Sequence, residues 1–240
     1  FEALAEAMYK MTSAIMKFAP YGVFALIIPV VAVNGPKVLL PLLKVIVVVY
    51  LGCILHAALI YSGTLKIFAN YSPIKFFKTV APASIFAFTT ASSSSTLPLT
   101  MKSAEDMGVP KSIASFVIPL GATINMDGTA LYQGVCAFFI AQVYGLDLTI
   151  GQQLTVILTA TLASIGTAGV PGAGLVMLTM VLQSVGLPLE GLALIAGIDR
   201  VLDMARTSLN ITGDAACAVI VAATEKELIV DAPNEKEITA

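Results

Sequence analysis

Between Gly197 and Asp214 the sequence carries Asp199, Arg200, Asp203, Arg206, Thr207, Asn210 and Asp214 among Leu, Val, Ile and Ala. Wound at about 100° per residue, all seven fall within an arc of roughly 120° on one helix face. Five of them are ionisable. Set against lipid at about 2.5–3.5 kcal/mol each, they would cost on the order of 12–18 kcal/mol. The face must line a wet or ligand-filled interior. Asp199 with Arg200 and Asp203 with Arg206 can cancel in part, so a structural salt-bridge stripe is the plain alternative. Asp214, however, has no basic neighbour on this face, and Asp127 has none in the segment Asn125-Met126-Asp127-Gly128-Thr129. Asp127, Asp199, Asp203 and Asp214 outnumber Arg200 and Arg206, and a negative excess inside a membrane predicts cations or protons as cargo. Carboxylates beside Asn, Thr and bare carbonyls are hard oxygen ligands suited to Na⁺, while a guanidinium is a planar fork for a carboxylate. Asp203 and Arg206, three residues apart, suit a ligand with both an ammonium and a distal carboxylate. A plain dicarboxylate gives Asp203 no role, and a neutral amino acid leaves Arg206 unpaired. Acidic amino acids fit best.

The elements holding such a stripe must be membrane helices. Of 240 residues, 58% are hydrophobic and 12% charged, with 13 basic and 15 acidic side chains and a net charge of −2; mean hydropathy is +0.92. Soluble domains carry roughly 25% charged residues. The composition excludes a soluble globular domain, a disordered chain and a nucleic-acid binder, and predicts an integral membrane protein. Between Ser112 and Leu189 the only charges are Asp127 and Asp147. Cys53, Cys136 and Cys217 lie far apart in apolar stretches and are expected as small buried hydrophobes. His56, alone in an apolar segment, is expected to be structural.

A span needs about 20 apolar residues. Phe18–Val33 with its flanks, Val38–Ser62, Ser112–Tyr144 and Leu189–Thr224 are long enough. Residues 73–107 are interrupted by Thr89–Thr96 ahead of Leu97-Pro98, and residues 151–188 by Gly166–Gly174. The arms of the second region, about 14 residues each at 1.5 Å per residue, are too short for ~30 Å of hydrocarbon. Lys66, Lys75 and Lys78 come before the tip of the first region and Lys102 and Lys111 after it, which places both its ends in the cytoplasm. The loops around Asp147 and Glu190 lack Lys and Arg, so the second region has both ends outside. Two re-entrant hairpins from opposite faces, with tips meeting near the midplane, follow. A flexible linker does not fit, because long apolar arms flank both stretches. After each hairpin comes Asn-x-x-Gly: Asn125 to Gly128, then Asn210 to Gly213. The predicted fold is an all-α integral membrane inverted-repeat core, with two opposed re-entrant helical hairpins and two polar-broken spanning helices, binding at the repeat interface.

Four stretches, in order over nearly the whole chain, resemble the glutamate/aspartate transporter family, the dicarboxylate/amino acid:cation symporters. They are Ser92–Pro98, Gly121–Thr129, Gly166–Gly172, and Asp203–Thr207 through Asn210 to Asp214. The resemblance implies a C-terminal half only, without the family's first four helices. Residues 1–34 would be a scaffold helix (helix 5), 38–70 helix 6, 73–107 hairpin 1 and 111–144 helix 7. Residues 151–188 would be hairpin 2, the gate, with Gly169, Gly172 and Gly174 as hinges; 189–224 would be helix 8 and 225–240 a solvated tail. It further implies that Asp203 binds the substrate ammonium and Arg206 its side-chain carboxylate, assisted by Thr129. Asn210, Ser93 and the Val170 backbone would hold the α-carboxylate and amino group, Thr207 and Met126 would line the pocket, and Ser92 and Gly174 are counted with them. One Na⁺ site would use Asp214, Asn210, Asn125 and the Gly121 backbone. A second would use carbonyls of Thr123, Ser164, Ile165 and Thr167. A third would use Asp127 and Asn125 with the missing helix 3, and Met126 would sit between the ion and substrate sites. Members carry an Arg before the hairpin 1 serines or after the aspartate matching Asp203; here those positions are Ala91 and Met204, and Arg200 is the expected substitute. The implied protein is a homotrimer in the cell inner or plasma membrane, multi-pass, with Na⁺ as coupling ion, no other cofactor and no nucleic-acid partner. Competing readings are a dicarboxylate:cation symporter, an H⁺-coupled glutamate transporter, a non-transporting remnant, and an intramembrane aspartyl protease. The last needs Gly-x-Gly-Asp where this chain has Ile211-Thr212-Gly213-Asp214, and the serine run has no His beside it.

Overall fold

A computed structural model describes residues 39–229 continuously, and isolated positions between 11 and 35. The expected scaffold helix 1–34, those positions apart, and the tail beyond residue 229 lie outside the described residues. Every regular element described is helical.

Helix α1 (Leu39–His56), a π-helical turn (Ala57–Tyr61) and α2 (Ser62–Ala69) form one apolar rod, ended by Asn70 in the left-handed region at φ 48°. Ser72 accepts the Lys75 N–H and Pro73 occupies the first turn, which starts α3 (Pro73–Thr90) where neither costs a helical hydrogen bond. Ala91 at φ 51° stops α3, and Ser92 caps α4 (Ser93–Asp106) by accepting the Ser95 N–H. The interruption expected over Thr89–Thr96 therefore shrinks to two residues. Hydroxyls that weaken a helix interior serve here as caps and back-bonds, Thr96 donating to the Ser92 carbonyl at 2.8 Å.

Helices α5 (Lys111–Ile124) and α6 (Asp127–Val143) are separated at Asn125-Met126. A capping box of Thr149 and Gln152 opens α7 (Ile150–Ser164). Gly166 at φ 84° and Gly172 at φ 80° shape the turn into α8 (Ala173–Ser184). A short α9 (Leu192–Ala196) leads to α10 (Asp199–Thr224). Only the rod Leu40–Ala69 and α10 are, among the described residues, long and apolar enough to cross a bilayer singly. Ser112–Tyr144 is divided at Asn125-Met126. Leu189–Thr224 is divided too, but at Gly197-Ile198.

The expected break at Asn210–Gly213 does not occur: α10 is continuous through it. Asn210 spends its side chain on another segment, its Oδ1 accepting the Gly128 N–H at 2.8 Å. It thus caps α6 across the break in the chain at Asn125-Met126, and its own helix needs no interruption.

α10 is the central element. It packs along α3 and α4, along α5 and α6, and along the rod, whereas α7 and α8 pack on each other and on α6. Ala205, Gly213, Ala215, Ala218 and Ala222 keep its surface small enough for close approach. Outer faces carry Leu43, Val47, Leu51 and Ile54 on α1 and Leu154, Ile157, Leu158 and Leu162 on α7, all exposed. Apolar patches of that kind suit lipid rather than water. Cys53 and Cys136 are buried as expected, but Cys217 is exposed on the outward side of α10.

Candidate substrate and cation site

Arg206 sits at the middle of the buried stripe, 2% exposed. Its Nε donates to Asp203 Oδ1 at 2.9 Å and its Nη1 to Asp199 Oδ1 at 3.0 Å. The guanidinium stacks over the Tyr132 ring at 4.1 Å, held flat by a cation–π contact. Nη2 has no hydrogen-bond partner among the described residues. Pairing in the stripe thus differs from the sequence expectation, because one arginine serves both aspartates. Arg200 turns away, donating to the carbonyls of Thr89 at 2.9 Å and Thr90 at 3.4 Å. There it braces the C-terminus of α3, where helix dipole and orphan carbonyls both favour a cation; it does not line the pocket.

The pocket around Arg206 is closed by two turns. It is lined by Ala91, Ser93, Met126, Thr129, Thr167, Ala168, Gly169, Val170, Gly174, Asp203, Arg206, Thr207 and Asn210. Ser92 stands apart, its hydroxyl donating to the Gly169 carbonyl at 2.9 Å while the Ser94 N–H reaches the same oxygen at 3.1 Å. These two bonds join the α3–α4 turn to the α7–α8 turn. The second turn is also fastened by Gly172 N–H to Asp203 Oδ2 at 2.8 Å and by Gly166 N–H to the Thr123 carbonyl at 2.7 Å. Thr207 donates to Asp203 Oδ1 at 3.2 Å. Gly174 lies flat on the guanidinium: a Cβ there would fall 2.9 Å from Arg206 Cζ. The cavity is about 10 Å³, room for about one water.

Beside it lies a second polar cluster. Asn125 Nδ2 donates to Asp214 Oδ1 at 2.9 Å and to the Asn210 carbonyl at 3.1 Å. Asp214 rests against Gly121, where a Cβ would meet its Oδ1 at 2.5 Å. Asn210 Nδ2 points to Met126 Sδ at 3.1 Å and Thr129 Oγ1 at 3.2 Å, so Asn210 and Met126 join the two clusters. Of the four carbonyls expected to be free, two are not. Thr123 accepts the Gly166 N–H and Ser164 accepts the Thr167 N–H at 3.1 Å. Thr123 and Ile165 are exposed, while Ser164 and Thr167 are buried.

Asp127 is not without a basic neighbour. His56 Nε2 lies 3.2 Å from its Oδ2, and the Tyr61 hydroxyl donates to that atom at 2.9 Å. His56 is therefore part of a polar cluster rather than an isolated structural residue. Sequence reasoning missed Tyr61, Tyr132 and Gln133. Tyr132 and Gln133 follow Thr129 at helical spacing, a signal for the same face; Gln133 Nε2 is 3.5 Å from the Gly174 carbonyl.

With the helices, turns and buried charges in place, the chain belongs to the sodium:dicarboxylate symporter family, whose model matches residues 1–224. It is 46% identical over 94% of its length to a proton/sodium-glutamate symport protein of Geobacillus stearothermophilus, covering 53% of that protein. It is 45% identical over 94% of its length to a proton/glutamate-aspartate symporter of Escherichia coli, covering 51%. To excitatory amino acid transporter 3 of Mus musculus it is 43% identical over 95%, covering 44%. The chain spans about half the length of the curated relatives it matches. Relatives and family are transporters, not enzymes.

Proposed function

We propose that the protein to which this chain belongs is a multi-pass secondary active symporter carrying an acidic amino acid, aspartate or glutamate, with Na⁺ across the cell inner or plasma membrane. The observation that carries the reading is Arg206: wholly buried, pinned on one side by Asp199 and Asp203, and with Nη2 left for a ligand carboxylate. A substrate ammonium would take the place of the Gly172 N–H on Asp203. Asp214, Asn125 and Asn210 supply one cation site, Asp127 with Asn125 another, and carbonyls around Ile165 and Thr167 a third. Met126, between substrate and ions, couples them. Na⁺ is cargo, and no further cofactor is invoked.

In this reading α3–α4 and α7–α8 are the two re-entrant hairpins of an inverted repeat. At 15 and 12 residues, α7 and α8 reach roughly 18–22 Å, short of a span. The second hairpin is the gate. Its arms make no extended contact with α10, its turn is held by a few hydrogen bonds, and a 10 Å³ cavity admits an amino acid only once that turn swings away. Movement of this unit against a trimeric scaffold gives alternating access.

Proton coupling is the second reading, favoured by the names of the bacterial relatives. Calorimetry on the full-length protein with aspartate, glutamate and succinate, with and without Na⁺, tests both. Binding of the two amino acids only with Na⁺ is expected. Uptake running equally well on a proton gradient without Na⁺ overturns the cation assignment; succinate binding that tolerates Asp203→Asn overturns the amino-acid assignment. Gly174→Ala should push the guanidinium aside and weaken aspartate binding at least ~10-fold, as misplacement of about 1 Å costs up to ~100-fold. An unchanged dissociation constant would remove Gly174 from the site.

A further inference from the structure

The π-turn Ala57–Tyr61 has a geometric consequence at Asp127. In an α-helix, residues five apart point about 140° apart. The wider turn closes that angle, so the rings of His56 and Tyr61 meet edge to face with centroids 5.0 Å apart. Both then converge on one atom, Oδ2 of Asp127, at 3.2 and 2.9 Å. Oδ1 has no hydrogen-bond partner among the described residues. The Tyr61 side chain is 5% exposed, and its hydroxyl also lies 3.4 Å from the Leu209 carbonyl. Gly213 makes room for it: a Cβ there would fall 2.5 Å from the Tyr61 hydroxyl and 2.5 Å from Asn125 Nδ2. A buried hydroxyl thus enters the polar cluster at a gap that only glycine leaves. Single π-turns of this kind recur at functional sites.

We infer that Tyr61 is a positioning residue of the cation site, its hydroxyl anchoring Oδ2 of Asp127 so that Oδ1 is presented to the ion. The inference rests on the Na⁺-symport reading above. A carboxylate fixed at one oxygen meets its cation without losing rotational freedom at that moment, and loss of such an outer partner commonly costs 10–100-fold in metal affinity.

Tyr61→Phe in the full-length protein, reconstituted in liposomes, removes only the hydroxyl. The Na⁺ concentration for half-maximal aspartate uptake should rise about 10-fold. The aspartate KM at saturating Na⁺ should move far less, a split that a merely structural defect does not produce. Unchanged Na⁺ half-saturation, with or without a lower maximal rate, overturns the inference while leaving Na⁺-driven uptake by the unaltered protein in place. If that protein needs no Na⁺, both readings fall. His56→Leu, which removes the other partner of the same oxygen from a less buried position, carries the identical test should the Phe variant not assemble: a raised Na⁺ half-saturation supports the anchoring of Oδ2, and no change overturns it.

Discussion

Arg206→Ala is expected to abolish binding and uptake of aspartate and glutamate. The substitution removes the sole guanidinium lining the pocket and the free Nη2 with it, and leaves Asp199 and Asp203 buried without a counter-charge. Breaking a buried pair by removing one partner costs about 3–5 kcal/mol. On the binding side a similar loss corresponds to roughly two to four decades of affinity. Neutral amino acids should become relatively better ligands, since Asp203 remains for the ammonium. Arg206→Lys separates the two effects. It keeps a positive charge near both aspartates but cannot reproduce a planar fork, so stability should be largely retained while aspartate affinity still falls about 10- to 100-fold. Calorimetric titration beside a thermal-unfolding curve reads both. Aspartate affinity within a few-fold of the unaltered protein in Arg206→Ala would refute the assignment of the distal carboxylate to this side chain.

What the sequence made legible was the inward-facing polar stripe of α10, and the reason is energetic. Charges in an apolar segment are costly enough that their helical phase alone dictates an interior face, and the buried positions of Asp199, Asp203, Arg206 and Asp214 agree with it. The all-helical architecture followed from the same hydropathy. What stayed illegible depends on partners distant in sequence. Nothing near Asn210 says that its amide caps α6 at Gly128, so its motif looked like a second helix break. Nothing near Arg200 reveals the Thr89 and Thr90 carbonyls that hold it. The two-residue turn at Ala91-Ser92 was hidden because serine in quantity suggests a loop, whereas one capping hydroxyl suffices to start a helix. His56 and Tyr61 offered no signal at all: five residues apart, they share a target only through a π-turn that helical periodicity cannot anticipate.

Gly128→Ala is expected to be strongly disruptive for so small a substitution. Here α6 begins against α10, backbone to backbone. A Cβ on Gly128 would stand 2.5 Å from the Arg206 carbonyl oxygen and 2.7 Å from its Cα. Neither atom belongs to a flexible side chain, so relief requires α6 and α10 to separate. That separation would stretch the Gly128 N–H bond to Asn210 and carry Arg206 away from Tyr132. Overpacking of this kind costs about 1–3 kcal/mol, occasionally more. For a chain of this size that lowers the melting temperature by about 2–12 °C. Substrate binding should fall with it, because the displaced backbone is that of the residue carrying the guanidinium. Gly134→Ala, six residues on in the same helix, is the matched control: its Cβ would meet nothing within 4 Å, and alanine is the better helix former. A melting temperature for Gly128→Ala equal to that of Gly134→Ala would mean that α6 and α10 do not cross at this closeness, and the route from the Asn125-Met126 break to Arg206 would have to be redrawn.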